Sequence, residues 1–382
     1  MTDTTAALLD TAAMASALKR RLGGLPYTTT ALPGIGGAIK AEPSHFEVEE
    51  KLPYAPCGEG EHVFVTLRRS GWNTADVARD LARLFKVSMA DIGWGGRKDR
   101  QAVATQTFSV RLALNLSLSR VTSDLASLPF EILNIDRHRN KLKTGHVAGN
   151  RFRIILSGTG PQALDHAWAI ARLLACRGVP NYFGEQRFGL GMANLERAAR
   201  LLNHRRPPRG KDSLFLVSAL QAALFNCWLG ARIADGYYAC MLAGDVAQKT
   251  DTGGLFIVED EQEANARFDK GEIIYTGPMF GHKMKTATHD AGCREDALLD
   301  LFALKADMFK PLRAPGTRRP GLVRPRNLDI RAVQQGLEFS FGLPSGVYAT
   351  TVLREFMRPP SVAGDAGPPL DQPPRDLTRI DS

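Results

Sequence analysis

Near its C-terminal end the chain alternates large apolar with polar residues: Leu337, Phe339 and Phe341 interleave with Glu338 and Ser340. Period two puts the apolar side chains on one face, the mark of a half-buried strand. Such a strand needs a sheet to join, and the first third of the chain supplies candidates at His62–Leu67, Gln106–Leu112 and Phe152–Leu156. Helices lie between them. Asn73-Thr74 opens one in which Val77, Leu81, Leu84 and Phe85 fall at helical spacing, and Gln162–Cys176 forms another that Gly178 and Pro180 stop. The intervening sequence has another texture, with helical runs at Leu195–Leu202 and Val217–Ala234 and Pro/Arg-rich connectors at 205–209 and 318–326. A strand-containing half that resumes after a helix-rich stretch points to an inserted domain. Both ends look loose. Residues 1–25 carry little strand pattern, although Ala6–Leu22 has helical character, and 359–382 is rich in Pro, Gly and Asp and reads as a disordered tail.

Lys and Arg number 49 against 40 Asp and Glu, a net charge of +9 with a pI near 9.4. A basic surface attracts polyanions, nucleic acid foremost. The five cysteines, Cys57, Cys176, Cys227, Cys240 and Cys293, are odd in number and form no C-x-x-C pair. That argues against a disulfide framework and a zinc ribbon. No apolar run approaches the ~20 residues of a membrane span, and the N-terminus lacks the basic-then-apolar order of a secretory signal. A cytoplasmic protein without a membrane partner is expected.

Four segments bear on chemistry. In Gly93-Trp94-Gly95-Gly96-Arg97-Lys98-Asp99-Arg100 one carboxylate sits among three cations on a glycine-rich turn. Opposite charge keeps an Asp ionised, fit to act as nucleophile or general base; a surface turn with a local salt bridge is the plain alternative. The phosphate-loop spacings GxxxxGK[ST] and GxGxxG are absent. In the second segment, an extended Arg137–Lys143 would align Arg137, Arg139, Lys141 and Lys143 as a cationic stripe along RNA, or as a charged strand edge that blocks aggregation. The third, Gly149-Asn150-Arg151-Phe152, offers an amide for a base edge and a ring for stacking, or simply a turn entering a strand. The fourth, Pro180–Gly189, mixes aromatics, amides and Arg187, as would an RNA-stacking surface or a buried domain junction.

Taken together and in order from Lys40 to Glu355, these segments resemble the TruD family of tRNA pseudouridine synthases. KAEPSHFEVEE (40–50) is similar to its K-x-x-P-x-D-F-x-V-x-E strand, and GWGGRKDRQAVATQ to its G-x-K-D-x-x-A-x-x-x-Q catalytic segment. RHRNKLKTGHVAGNRF, GVPNYFGEQRFG and LPSGVYATTVLRE match three further family motifs. The resemblance implies an α+β pseudouridine synthase catalytic domain at 26–177 and 338–358, with a mostly antiparallel or mixed sheet flanked by helices. It also implies an α+β insertion at 178–337. Asp99 then corresponds to the catalytic carboxylate, with Phe46, Lys98, Arg100, Asn150 and Phe152 at the active site. Lys40, Arg137, Arg139, Lys141, Lys143 and Arg187 become RNA-binding candidates. The implied reaction isomerises uridine to pseudouridine at position 13 of the D-arm of a tRNA, tRNA(Glu) in particular, in a monomer that needs neither cofactor nor metal. The sequence departs from the pattern at His45, where the family has Asp.

Overall fold

The computed structural model describes residues 9–39, 41–203 and 210–358. Lys40, the 205–209 connector and the 359–382 tail lie outside the described residues. The first half supplies α1 (Thr11–Gly23), β1 (Gly36–Ala38), β2 (Phe46–Lys51), β3 (His62–Arg69), α2 (Thr74–Leu84) and β4 (Ile92–Trp94). It continues with β5 (Val103–Arg111), α3 (Leu118–Leu125), β6 (Glu131–His138), β7 (Gly149–Thr159) and α4 (Ala163–Arg177). Next come β8 (Val179–Pro180), α5 (Ala193–Leu202), α6 (Gly210–Ala234), β9 (Val246–Lys249), β10 (Leu255–Ile257) and α7 (Glu261–Asp269). The described elements close with β11 (Ile273–Met279), α8 (His289–Leu301), β12 (Thr317–Pro320), β13 (Leu322–Val323), β14 (Arg326–Val333), β15 (Gly336–Pro344) and α9 (Ala349–Arg354).

A nine-stranded sheet in the order β14-β15-β7-β2-β5-β3-β6 organises the first lobe, with β1 added to β7 and β4 to β5. Of its pairings only β2 with β5 is parallel. The fold is thus α+β with a mixed, mostly antiparallel sheet. Two apolar clusters cover it. One joins Val48, Ile154, Phe339 and Phe341 to Ile170 and Leu174 of α4 and Val352 and Leu353 of α9. The other joins Val65, Leu67 and Phe108 to Val77 and Leu81 of α2 and Val121 and Leu125 of α3. Each large side chain so buried contributes about 1.5–3 kcal/mol.

The chain rejoins this sheet at Arg326, before the expected 338. The reason is that β14 is an edge strand: Leu328, Ile330 and Ala332 do alternate with polar residues, but Ile330 alone is fully buried, among Arg326, Asn327, Asp329 and Arg331, so the apolar signal is weak. The second lobe packs around α6, whose Leu220, Leu224, Phe225 and Trp228 meet Phe268, Tyr275 and Phe309. By length and composition α6 could cross a membrane, yet 78% of its apolar window is buried within the protein. The N-terminal extension is not loose where it is described. Asp10 caps α1 by accepting from the Ala12 and Ala13 amides, and Met14, Ala15, Leu18 and Leu22 enter the core of the second lobe.

Candidate active site

Asp99 sits on the loop that leaves β4 and enters β5. Backbone packing shapes that loop. A Cβ on Gly93 would meet the Leu142 carbonyl at 2.1 Å, and one on Gly95 would meet Val147 Cγ2 at 2.4 Å. Only glycine lets segment 141–147 lie this close, and the Gly145 amide seals the contact by donating to the Gly95 carbonyl at 2.8 Å.

A polar network holds the loop from below. The Thr74 hydroxyl at the start of α2 accepts from the Lys98 amide at 2.9 Å and from Arg69 at 3.1 Å, and donates to Gln106 Oε1 at 3.1 Å. Gln106, wholly buried on β5, returns a hydrogen bond to the Gly96 carbonyl at 2.6 Å. The Lys98 Nζ pairs with Glu50 Oε2 at 2.5 Å, and the Glu50 side chain is fully buried. Arg100 is exposed and donates from Nε to the Gly71 carbonyl at 2.9 Å. Among the neighbouring cations Arg69 is buried and feels Asp99. Burial pushes its guanidinium down from the usual range, while Asp76 and Asp99 pull it back up.

Asp99 itself is half-buried. Its Oδ1 accepts from the Gln101 amide at 3.1 Å, and its Oδ2 accepts from Gln186 Nε2 at 3.3 Å, 87 residues away in sequence. These groups face an open cleft of about 290 Å³. Register explains how β2 and β7 line it. Val48 pairs with Phe152 and Glu50 with Asn150, so Phe46, Val48, Asn150 and Phe152 share the face towards Asp99. The Phe46 and Phe152 rings meet edge to face at 6.1 Å, and Phe341 backs Phe152 at 5.7 Å. Asn150 Oδ1 is buried and has no hydrogen-bond partner among the described residues. The loop from Ser345 to Thr350, including Tyr348, closes the far wall.

The structure therefore gathers Asp99, Lys98, Phe46, Asn150 and Phe152 around one cleft, and leaves Arg100 outside its lining. His45 is not part of its lining: buried, its Nδ1 lies 3.3 Å from the Ser157 hydroxyl towards the other end of β7. The expected cationic stripe does not form. β6 stops at His138, and Arg137 is buried, donating to the Gly60, Ala113 and Leu116 carbonyls at 2.8, 3.1 and 2.6 Å. It is a structural clamp, because period-two alternation turns it inward. Past the strand, Arg139 is exposed and paired with Glu59, Lys141 donates to the Ala90 carbonyl, and Lys143 is exposed. Arg187 is half-buried against α6, bonded to Ser218 with its guanidinium 5.0 Å from the Phe215 ring. Sequence reasoning missed Gln186, Glu50, Gln106, Arg69 and the exposed rim residue Arg97. Glu50 and Gln106 end two of the quoted motifs and Gln186 lies within a third, so the signal was present without a geometry to read it.

Comparison with known proteins shows the family. The family profile described as tRNA pseudouridine synthase D (TruD) matches residues 22–204 and 205–356. A tRNA pseudouridine synthase D from Anaeromyxobacter dehalogenans (strain 2CP-C) is 40% identical over 343 residues, covering 87% of this chain and 96% of the relative. One from Thermus thermophilus is 41% identical over 335 residues, covering 87% and 92%. A crystal structure of a Methanosarcina mazei TruD candidate superposes with a TM-score of 0.68 at 21% identity, over 89% of this chain and 98% of that one, a likeness of fold. The chain is thus a pseudouridine synthase, an isomerase of RNA. Within that class it belongs to the tRNA pseudouridine synthase D (TruD) family.

Proposed function

We propose that this enzyme isomerises uridine 13 in the D-arm of a tRNA, with tRNA(Glu) as substrate, and that Asp99 is the carboxylate that starts the reaction. The observation that carries the reading is the meeting of Asp99, Asn150, Phe46 and Phe152 in one cleft, from strands and a loop distant in sequence. Isomerisation breaks the N1–C1′ bond, turns the uracil and forms a C5–C1′ bond. The C5 proton is lost and N1 gains one, so atoms and electrons balance without an external reagent.

The uridine must first leave its stack, at a cost of about a few kcal/mol. Contact with the ring edges of Phe46 and Phe152 offsets part of that, base–aromatic stacking contributing about 1–3 kcal/mol per base. Asn150 Oδ1, buried without a partner among the described residues, is an acceptor suited to the imide N–H of uracil. An ionised Asp99 has three first steps open to it: attack at C1′, attack at C6, or removal of a sugar proton to give a glycal. All three need the charged form. Arg69 favours that charge from below, and Gln186 holds one oxygen from across the cleft. Arg97, exposed at the rim, meets phosphate. The first lobe carries the chemistry and the second closes the cleft. A cytoplasmic monomer belongs to the same reading; the free thiols of Cys57, Cys176, Cys227, Cys240 and Cys293 fit a reducing compartment.

Asp99→Asn keeps the shape and removes the charge. Its expected outcome is unchanged tRNA affinity with pseudouridine at position 13 lost, read by mapping pseudouridines in tRNA treated with each protein. Retained turnover would remove Asp99 from this role, and modification elsewhere in the tRNA would relocate the target.

A further inference from the structure

Beside the catalytic cleft lies a second, larger cavity of about 430 Å³ that the chemistry above does not use. It opens between the Tyr182–Phe188 junction of the second lobe, the segment Leu25–Tyr27 before the sheet, and α9 with Met357. The two cavities share a wall: Gln186, Tyr348 and Thr350 line both. Its own lining is apolar and aromatic, with Tyr27, Phe183 and Tyr348 among flexible Met192 and Met357. The rings are fixed. Phe183 meets Tyr348 at 6.1 Å between centroids, and the Arg354 guanidinium lies 3.7 Å over the Tyr27 ring, locked there by a hydrogen bond to the Pro26 carbonyl at 3.1 Å. Polar groups stand at the border with the catalytic cleft. The Tyr348 and Thr350 hydroxyls make no hydrogen bond among the described residues, and the Gln186 amide reaches across to Asp99 Oδ2 at 3.3 Å.

We propose that this cavity is a subsite for the base of the nucleotide adjoining the target uridine, and that Gln186 couples its occupancy to Asp99. The proposal rests on the reading that the catalytic cleft takes an extruded uridine of tRNA. A nucleobase is the occupant that fits. It has flat faces for the three rings and polar edges for the border groups, and the strand that delivers one nucleotide to Asp99 brings its neighbour to the shared wall. Stacking platforms of this kind hold single-stranded bases with little regard to identity, while edge hydrogen bonds discriminate. Because Gln186 touches both compartments, a correctly seated neighbour fixes its amide and thereby orients the carboxylate. An empty or wrongly filled subsite leaves Asp99 less well placed, so the effect falls on kcat more than on KM.

The test uses the full chain and transcribed tRNA in which the nucleotide 5′ or 3′ of the modified uridine is replaced, one at a time, by an abasic residue. For the wild type, one of the two replacements lowers kcat/KM by about tenfold or more, the scale of a lost base–aromatic stack, mostly through kcat. Met357→Trp, which fills the cavity from a wall away from Asp99, lowers kcat/KM on intact tRNA by a similar factor and makes the same abasic replacement nearly silent. Ile39→Phe, also in the lining of this cavity alone, repeats the pattern, and thermal unfolding of both variants reports whether they fold. Wild type that turns over intact tRNA yet ignores both abasic sites overturns the subsite alone. So do two folded, cavity-filled variants that behave as wild type. Removal of 359–382 that raises kcat/KM, with no abasic effect in either protein, gives the cavity to that segment and also overturns the proposal. Wild type that modifies no tRNA uridine overturns the functional reading, and the subsite with it.

Discussion

Lys98, beside Asp99 in the sequence, has a carboxylate partner of its own. Its ammonium pairs with Glu50, and the two side chains are 7% and 0% exposed. A buried pair of this kind is costly to break, because the remaining charge has no water to turn to. Lys98→Met is expected to lower stability by about 3–5 kcal/mol, read from the denaturant midpoint, and Lys98→Met with Glu50→Leu to recover most of it. Wild-type stability in the single variant would mean that Glu50 finds another partner. The arrangement assigns the two neighbours different work: Lys98 anchors the loop to β2, while Asp99 is presented to the cleft. Arg319 does similar structural work from the second lobe. Burial pushes its pKa down to about 10, and its guanidinium lies 4.0 Å over the Phe183 ring while donating to Asn181 and to the Gly346 carbonyl on the wall of the catalytic cleft.

At the scale of elements, β2 and β7 matter most, because their antiparallel register sets Phe46, Val48, Asn150 and Phe152 on one face. A slip by one residue would send all four to the other face, where Arg151 and Arg153 now stand beside Glu47 and Glu49. α1 is the element that pattern alone undervalued. Its helical spacing was readable, but an extension at a chain end gives no sign of what it packs on. In the structure it lies against α5 and α6, and Leu18 is wholly buried. Leu18→Ala is therefore expected to cost about 2–5 kcal/mol, measured by chemical unfolding. A cost near zero would show that α1 is dispensable to the second lobe.

For the whole molecule, a net charge of +9 says that a polyanion is attracted but not which cations it meets. Arg137, Arg232, Arg318 and Arg319 are turned inward. Arg232 and Arg318 form forked pairs with Asp245 and Glu295, and Arg137 and Arg319 bind backbone carbonyls. Arg97 at the cleft rim and Lys143 remain exposed. Replacing both by Ala is expected to weaken tRNA binding and reduce the slope of log affinity against log salt by roughly 1–2, since each phosphate contact contributes about 0.9. An unchanged slope would place the RNA on another face. The sequence by itself determined what local spacing and residue chemistry can carry: the alternating strands, the helices, the glycine turn that presents Asp99, and the motifs that mark the family. Only the tertiary structure decided which cations meet solvent, that Gln186 reaches Asp99, that Glu50 takes Lys98, and where the chain rejoins its sheet. Those are distances between residues far apart along the chain, and packing and strand register fix them where no local pattern does.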